Sequence, residues 1–230
     1  TYKTVISHKN NNGGLLAIDL YEKGFLIQSP TCAWSKRKKY SDPVDVSLSK
    51  CVTARIEILR KKGAEKIVVL GNSLGANAAI RAGVIIDGID AIVAMAPGHT
   101  PEDSRIREIL DDDIRLAKAK VESGAGQYKI RFEDFDQGKK IPLKVSAANF
   151  LSWFDPKGKA VMGLNAPKIK NGTAFLWIAG KNDRISNGKG KNIFNSAPPN
   201  PKSKFIHVEG GHKDVRKYGK EIIINWIKAL

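Results

Sequence analysis

The pentapeptide Gly71-Asn72-Ser73-Leu74-Gly75 stands directly after the β-branched run Ile67-Val68-Val69-Leu70 and directly before the helix-forming stretch Ala76-Asn77-Ala78-Ala79-Ile80-Arg81. A strand-to-helix turn of this kind is too tight for flanking side chains. The two glycines therefore leave the serine hydroxyl raised at the carboxyl edge of a sheet, and the following helix aims its first N–H groups at the same point. A hydroxyl so placed is a nucleophile that needs a base to take its proton and an acid to orient that base. Both stand downstream. Asp183 follows the apolar run Ala174-Phe175-Leu176-Trp177-Ile178, and His212 follows Lys204-Phe205-Ile206-His207-Val208 through Glu209-Gly210-Gly211. Each of the three stands just past a strand, in the order nucleophile, acid, base. Acyl transfer through Ser73 is the expected chemistry, with His212 as base and Asp183 as its orienting acid.

Acyl transfer also requires N–H donors for the developing oxyanion. The backbone of Leu74, next after the nucleophile, is one expected donor, and the loop Ser7-His8-Lys9-Asn10 after the first strand should supply the other from Lys9 or Asn10. His8, Trp34, Asn72 and His99 are candidates to line the substrate pocket. Rivals for the roles exist. Asp155, in Trp153-Phe154-Asp155-Pro156, is the alternative acid, but it lies in an insertion, whereas Asp183 follows a clear strand. His207 lies inside an apolar strand, and neither His8 nor His99 occupies the loop after the last strand.

The elements that must position these residues follow from short apolar runs alternating with amphipathic stretches, the pattern of βαβ units and a parallel sheet. Strands are expected at 4–7, 25–28, 66–70, 91–95, 174–178 and 204–208. Leu48, Val52, Ile56 and Leu59 mark a surface helix stopped at Gly63. Val215, Tyr218, Ile222, Trp226 and Leu230 mark a closing helix. Between Pro97 and about Lys170 the chain carries far more than a crossover needs, so a cap-like insertion at about 98–170 is expected within one domain spanning 1–230. In it, Thr100 as N-cap, Pro101 at the first helical position and the stripe Ile106, Ile109, Leu110, Ala117, Val121 predict a helix of about five turns. Asp111-Asp112-Asp113 in that helix read as a solvated acidic face rather than metal ligands, because consecutive helical residues point in different directions.

Composition narrows the function further. In 230 residues, 39 Lys and Arg against 23 Asp and Glu give a formal charge of +16, yet the densest basic run is only Lys36-Arg37-Lys38-Lys39. A diffuse lysine excess without a recognition module reads as a solvated surface, so nucleic acid is not the expected partner. No apolar run has the length of a transmembrane helix. Cys32 and Cys51 have neither redox nor zinc spacing; they are one possible disulfide pair or two inert thiols. Together with a start at Thr1 rather than Met they point towards an exported, periplasmic protein, with the cytoplasm as the alternative. No metal and no organic cofactor is expected, because a Ser-His-Asp mechanism supplies its own nucleophile. A small-molecule acyl compound is the expected substrate.

With Gly71-Asn72-Ser73-Leu74-Gly75, Asp183 and His212 in this order, the sequence resembles the α/β-hydrolase superfamily over nearly its whole length. More narrowly it resembles small bacterial serine hydrolases with a Trp-Ser pair after the second strand, here Trp34-Ser35, and an Ala-Pro-Gly-His turn, here Ala96-Pro97-Gly98-His99. The resemblance implies a doubly wound, mostly parallel sheet of about six strands lacking the fold's first two, with a helical cap, and a carboxylesterase-like activity. Lys9 stands where the family usually has glycine, and Asn72 where histidine is common. A non-catalytic binding protein on a hydrolase scaffold, motivated by Lys9, and a basic protein for anionic partners, motivated by the charge, are the alternative expectations.

Overall fold

A computed structural model describes residues 2–7, 11–34, 39–136, 138–184 and 188–230. The elements run β1 Tyr2–Ser7, α1 Asn11–Glu22, β2 Leu26–Gln28, α2 Val44–Leu48, a π-helical turn Ser49–Thr53, α3 Ala54–Lys61, β3 Ala64–Asn72, α4 Leu74–Ile85, β4 Ala91–Met95 and α5 Ser104–Glu122. They continue with β5 Lys129–Asp136, β6 Lys139–Ser146, α6 Ala147–Phe154, α7 Met162–Asn165, a 3-10 turn Ala166–Lys168, β7 Ala174–Gly180, α8 Gly190–Asn195, β8 Lys204–Val208 and α9 Val215–Lys228. Among the described residues no helix is long and apolar enough to cross a membrane. The chain divides into two compact units, residues 1–31, 48–99 and 162–230 in one and 32–47 and 100–161 in the other.

The first unit is built on a six-stranded sheet of order β2-β1-β3-β4-β7-β8, every neighbouring pair parallel. Strands covered on both faces read as continuous apolar runs, and β4 and β7 are buried at every position. One core cluster joins Leu16 and Leu20 of α1, Val68 and Leu70 of β3, Val93 and Met95 of β4, Leu176 and Ile178 of β7 and Ile223, Ile224 and Ile227 of α9. Each such aliphatic side chain, fully buried, stabilises the fold by roughly 1.5–3 kcal/mol. Half of helix α4 is glycine or alanine, and that lets it lie close on the sheet: a Cβ at Gly83 would come within 2.2 Å of Ile92 Cδ1.

The closing helix lies differently from the expected stripe. Val215 and Trp226 are buried, but Tyr218 is 44% and Ile222 36% exposed, and the buried face runs through Val215, Gly219, Ile223 and Ile227. Gly219 is the cause. A Cβ there would meet Ile178 Cδ1 at 2.7 Å, so the missing side chain draws that side of α9 onto β7. The predicted surface-helix residues Leu48, Val52, Ile56 and Leu59 are all buried, with a π-helical turn between α2 and α3. The edge strand β8 leaves His207 exposed, its ring edge-on to Phe205 at 4.9 Å.

The second unit holds α5, α6 and the antiparallel hairpin of β5 and β6, which the predicted insertion helix did not foreshadow. Helix α5 spans the expected five turns, but its N-cap is Asp103, not Thr100: the Asp103 carboxylate accepts from Arg105 N–H at 3.0 Å, while Thr100 C=O accepts from Asp103 N–H in a preceding turn. Its buried face is Leu110, Ile114 and Ala117; Val121 is 41% exposed. Asp111 and Asp112 pair with Arg115 along the helix surface as a solvated face would, but Asp113 Oδ2 accepts the backbone N–H of Glu133 in β5 at 2.7 Å. Desolvation raises the Asp113 carboxyl above the ordinary carboxylate value.

Aromatic stacking fills this unit. Phe150 lies parallel to Phe132 at 4.3 Å and to Phe154 at 4.6 Å, and Trp153 meets Tyr40 and Trp34 at 5.4 and 5.5 Å. Residues 40–44 strap onto α6: Trp153 Nε1–H donates to Asp42 O at 3.0 Å, Asn149 Nδ2–H to Tyr40 O at 3.1 Å and Val44 N–H to Ser152 Oγ at 2.7 Å. Tyr40 donates its hydroxyl proton to Asp134 at 3.2 Å, and burial above all pushes its phenol well above the ordinary value. Both cysteines of the chain, Cys32 and Cys51, are disulfide-bonded.

Candidate active site

Ser73 occupies a backbone conformation that few non-glycine residues adopt, φ 55° and ψ −120°, between the last residue of β3 and the first of α4. The two flanking glycines have different reasons. A Cβ at Gly71 would lie 1.8 Å from Gly75 O, so the turn forbids a side chain there; a Cβ at Gly75 meets nothing within 4 Å outside its own helix. The expectation that both glycines avoid collision therefore holds only for Gly71. The elbow is held from its own carbonyl, since Ser73 O accepts from Ala76 N–H at 2.9 Å, Asn77 N–H at 3.3 Å and Gly98 N–H at 3.2 Å, while Ser73 N–H donates to Met95 O at 3.0 Å.

The loops after β7 and β8 are pinned to one another. Lys181 N–H donates to Val208 O at 2.8 Å and Asn182 N–H to Gly210 O at 3.0 Å, and Lys181 pairs with Glu209. This contact needs Gly180, where a Cβ would come within 2.4 Å of Gly210 O and 2.7 Å of Gly211 O. Gly210 has φ +84°, a left-handed turn, and Asp214 closes it by accepting Gly211 N–H at 2.8 Å.

From these loops Asp183 and His212 converge on Ser73. His212 Nδ1 is 2.9 Å from Asp183 Oδ2, and His212 Nε2 is 2.9 Å from Ser73 Oγ. The Asp183 side chain is 1% exposed and the His212 side chain 26%. A buried carboxylate facing Nδ1 favours the tautomer that donates from Nδ1, leaving Nε2 free to accept the serine proton. The arrangement can remove a proton from Ser73 Oγ and return it to a neighbouring atom.

The other expected residues are distributed as follows. Leu74 opens α4, where its N–H precedes the helix's own hydrogen-bond ladder. His8, Lys9 and Asn10 lie outside the described residues, as does Ser35. Asn72 is half-buried, and its Oδ1 has no hydrogen-bond partner among the described residues. His99 has φ 63° and gives its carbonyl to Asn77 Nδ2–H at 2.7 Å. Trp34 packs on Trp153 in the second unit. The rival acid Asp155 accepts Lys157 N–H at 3.1 Å and pairs with Lys118 at 3.7 Å; the carboxylate on His212 is that of Asp183. Among the described residues no group of three or more His, Cys, Asp or Glu side chains is placed to hold a metal ion. Sequence spacing did not reveal Gly180, Asn77 or Asp214, whose roles are contacts across loops. Gly98 was visible only as part of the Ala-Pro-Gly-His turn.

No protein-family profile matches the chain, and no curated protein matches it by sequence. Solved structures do match it over its whole length. A monoacylglycerol lipase of Paleococcus ferrophilus has a TM-score of 0.66 and 20% identity, covering 98% of this chain and 93% of its own. A chain of the metagenome-derived lipolytic enzymes LipS and LipT has 0.65 and 13%, covering 100% and 94%. The thioesterase domain from the curacin biosynthetic pathway has 0.62 and 13%, covering 100% and 92%. At such identities the likeness speaks of architecture alone, and with the sheet order and its crossovers it assigns this chain the α/β-hydrolase fold.

Proposed function

We propose that the chain is a serine hydrolase that cleaves an ester or related acyl bond through an acyl-enzyme on Ser73. The observation that carries this reading is the imidazole of His212 held 2.9 Å from both Ser73 Oγ and Asp183 Oδ2. Ser73 Oγ attacks the acyl carbonyl as His212 Nε2 takes its proton. The tetrahedral centre collapses, the carbon–oxygen bond to the alcohol breaks, and His212 returns the proton to the departing oxygen. Water then repeats the sequence on the acyl-enzyme. Asp183 holds the ring in its tautomer and offsets the charge on the imidazolium. Leu74 N–H, with Lys9 or Asn10 N–H, receives the oxyanion, and the N-terminus of α4 favours that charge.

The substrate class we infer is a carboxylic ester of a small or medium acid. The lipolytic enzymes and the thioesterase domain that share the fold support acyl substrates in general. We take residues 1–230 as one hydrolase domain carrying an insertion at about 98–170, because the sheet draws its strands from both sides of that segment. Intact-mass spectrometry after incubation with a fluorophosphonate tests the reading. One adduct on the wild type, lost in Ser73→Ala and His212→Ala, is expected. A correctly folded wild type that takes no adduct would refute it and make a binding protein on this scaffold the better account.

A further inference from the structure

The turn after β4 is held in a costly backbone. Ala96 and His99 both lie in the left-handed region, with φ 44° and 63°, although neither is glycine. The one glycine between them, Gly98, is not in that region, so conformational freedom is not why a glycine stands there. Space is. A Cβ on Gly98 would lie 2.8 Å from Ser73 Oγ and 3.4 Å from His212 Cε1. The turn is tied in place: Ala96 N–H donates to Ile178 O at 2.8 Å, Gly98 N–H to Ser73 O at 3.2 Å, and the buried amide of Asn77 donates to His99 O at 2.7 Å. Two strained residues and three hydrogen bonds thus bring a residue without a side chain against the hydroxyl and the imidazole together.

Given the hydrolase reading on which this inference rests, the absence of a side chain at this close approach has a use. In the tetrahedral intermediate the substituents of the reacting carbon lie two bonds from Ser73 Oγ, closer than any non-bonded neighbour. The substituent that departs must be the one beside the imidazole, because His212 hands its proton to that oxygen. The position a Cβ on Gly98 would take, next to Ser73 Oγ and His212 Cε1, is on that side. We propose that Gly98 is a specificity-determining residue that reserves room for the leaving alcohol, so that the site accepts esters of bulky alcohols. The bonds made and broken remain those of ordinary acyl transfer: Ser73 Oγ to carbon forms, carbon to alcohol oxygen breaks, and the proton passes through His212.

The test is Gly98→Ala against wild type on acetate esters of graded alcohols, methyl, phenyl and 2-naphthyl, with kcat/KM as the readout. The loss is expected to grow with alcohol size, shifting the naphthyl-to-methyl preference by roughly 10–200-fold, the range one methylene commands in a filled pocket. Equal loss on all three esters, or none, overturns the proposal, because a purely structural role would not distinguish alcohols. Melting temperatures of the wild type, Gly98→Ala, Ser73→Ala and the double variant test the contact without activity. Gly98→Ala should lower Tm when Ser73 Oγ is present and not when it is absent; equal lowering in both backgrounds overturns the contact. A wild type that takes no fluorophosphonate removes the hydrolase reading and this inference with it. A labelled wild type whose Gly98→Ala variant is blind to alcohol size removes the inference alone.

Discussion

Gly180→Ala should disable the candidate site without touching any residue that does chemistry. Gly180 does not have a positive φ, so alanine is permitted by the backbone, and the whole effect is steric. The new Cβ would stand 2.4 Å from Gly210 O and 2.7 Å from Gly211 O, where non-bonded contacts need roughly 3.5 Å. Backbone carbonyls cannot swing aside as a side chain can, so the loop carrying His212 must retreat by about 1 Å. His212 Nε2 now sits 2.9 Å from Ser73 Oγ; a retreat of that size takes it beyond hydrogen-bond reach. Displacement by an ångström costs about 100-fold in rate, or about 2.7 kcal/mol of transition-state stabilisation. Overpacking itself costs about 1–3 kcal/mol of stability, a fall in Tm of roughly 2–12 °C at this chain length. The assay is the rate of fluorophosphonate adduct formation by intact mass, with kcat/KM on an ester and Tm measured on the same preparation. Gly188→Ala is the control, since a Cβ there meets nothing within 4 Å. A folded Gly180→Ala protein reacting at the wild-type rate would refute the claim that the pinned loops set His212.

Asp183→Asn should leave the fold intact but present His212 in the wrong tautomer, lowering kcat by about 10⁴-fold; a loss below tenfold in steady-state assays would mean that Asp183 does not orient the base. Reducing the disulfide formed by Cys32 and Cys51 frees a loop of roughly 20 residues in the unfolded chain, worth about 3 kcal/mol. Calorimetry with and without reductant should then show Tm lower by roughly 6–12 °C, and an unchanged Tm would show that the loop-closure account fails here. Asp113 has its carboxyl raised by desolvation, so its charged form is penalised in the folded state: the folded protein loses stability as pH rises from the ordinary carboxylate value through the raised one. Asp113→Asn keeps an acceptor for Glu133 N–H and removes that penalty. Thermal scans should find the variant more stable at pH 7 and the difference closing below pH ~3.8, the ordinary value; a less stable variant at pH 7 contradicts the assignment.

The sheet and the three residues at its carboxyl edge were legible in the sequence because both rest on local patterns. Ile67-Val68-Val69-Leu70 and Ala91-Ile92-Val93-Ala94-Met95 are apolar on both faces, as parallel strands between helices must be. Ser73 and Asp183 each follow such a run within a few residues, and His212 follows the half-exposed edge strand β8. The hairpin β5–β6 escaped notice because Arg131, Glu133, Lys139, Lys140 and Lys144 dominate its sequence, although Phe132, Leu143 and Val145 are its buried positions. Thr100 with Pro101 imitates a helix start, and only the hydrogen bond from Arg105 N–H to Asp103 identifies the true cap. What sets the spacing inside the site, Gly98 against Ser73 and Gly180 against Gly210, depends on how closely two loops approach in space. A glycine needed for that purpose looks no different in sequence from one needed for its φ.

The order β3-β4-β7-β8 also dictates how the chain must be made. Strand β4 finishes at Met95, but the neighbour that covers its far edge, β7, begins at Ala174. During synthesis at roughly 5–20 residues per second, the nearly eighty intervening residues take on the order of 4–16 s to appear. For that interval the nascent half-sheet ends in Ala91–Met95, a strand apolar at every position with an open row of backbone donors and acceptors. The growing polypeptide is therefore most vulnerable to misassociation while the ribosome is translating the segment between β4 and β7, and faster translation of 96–173 should raise the soluble yield.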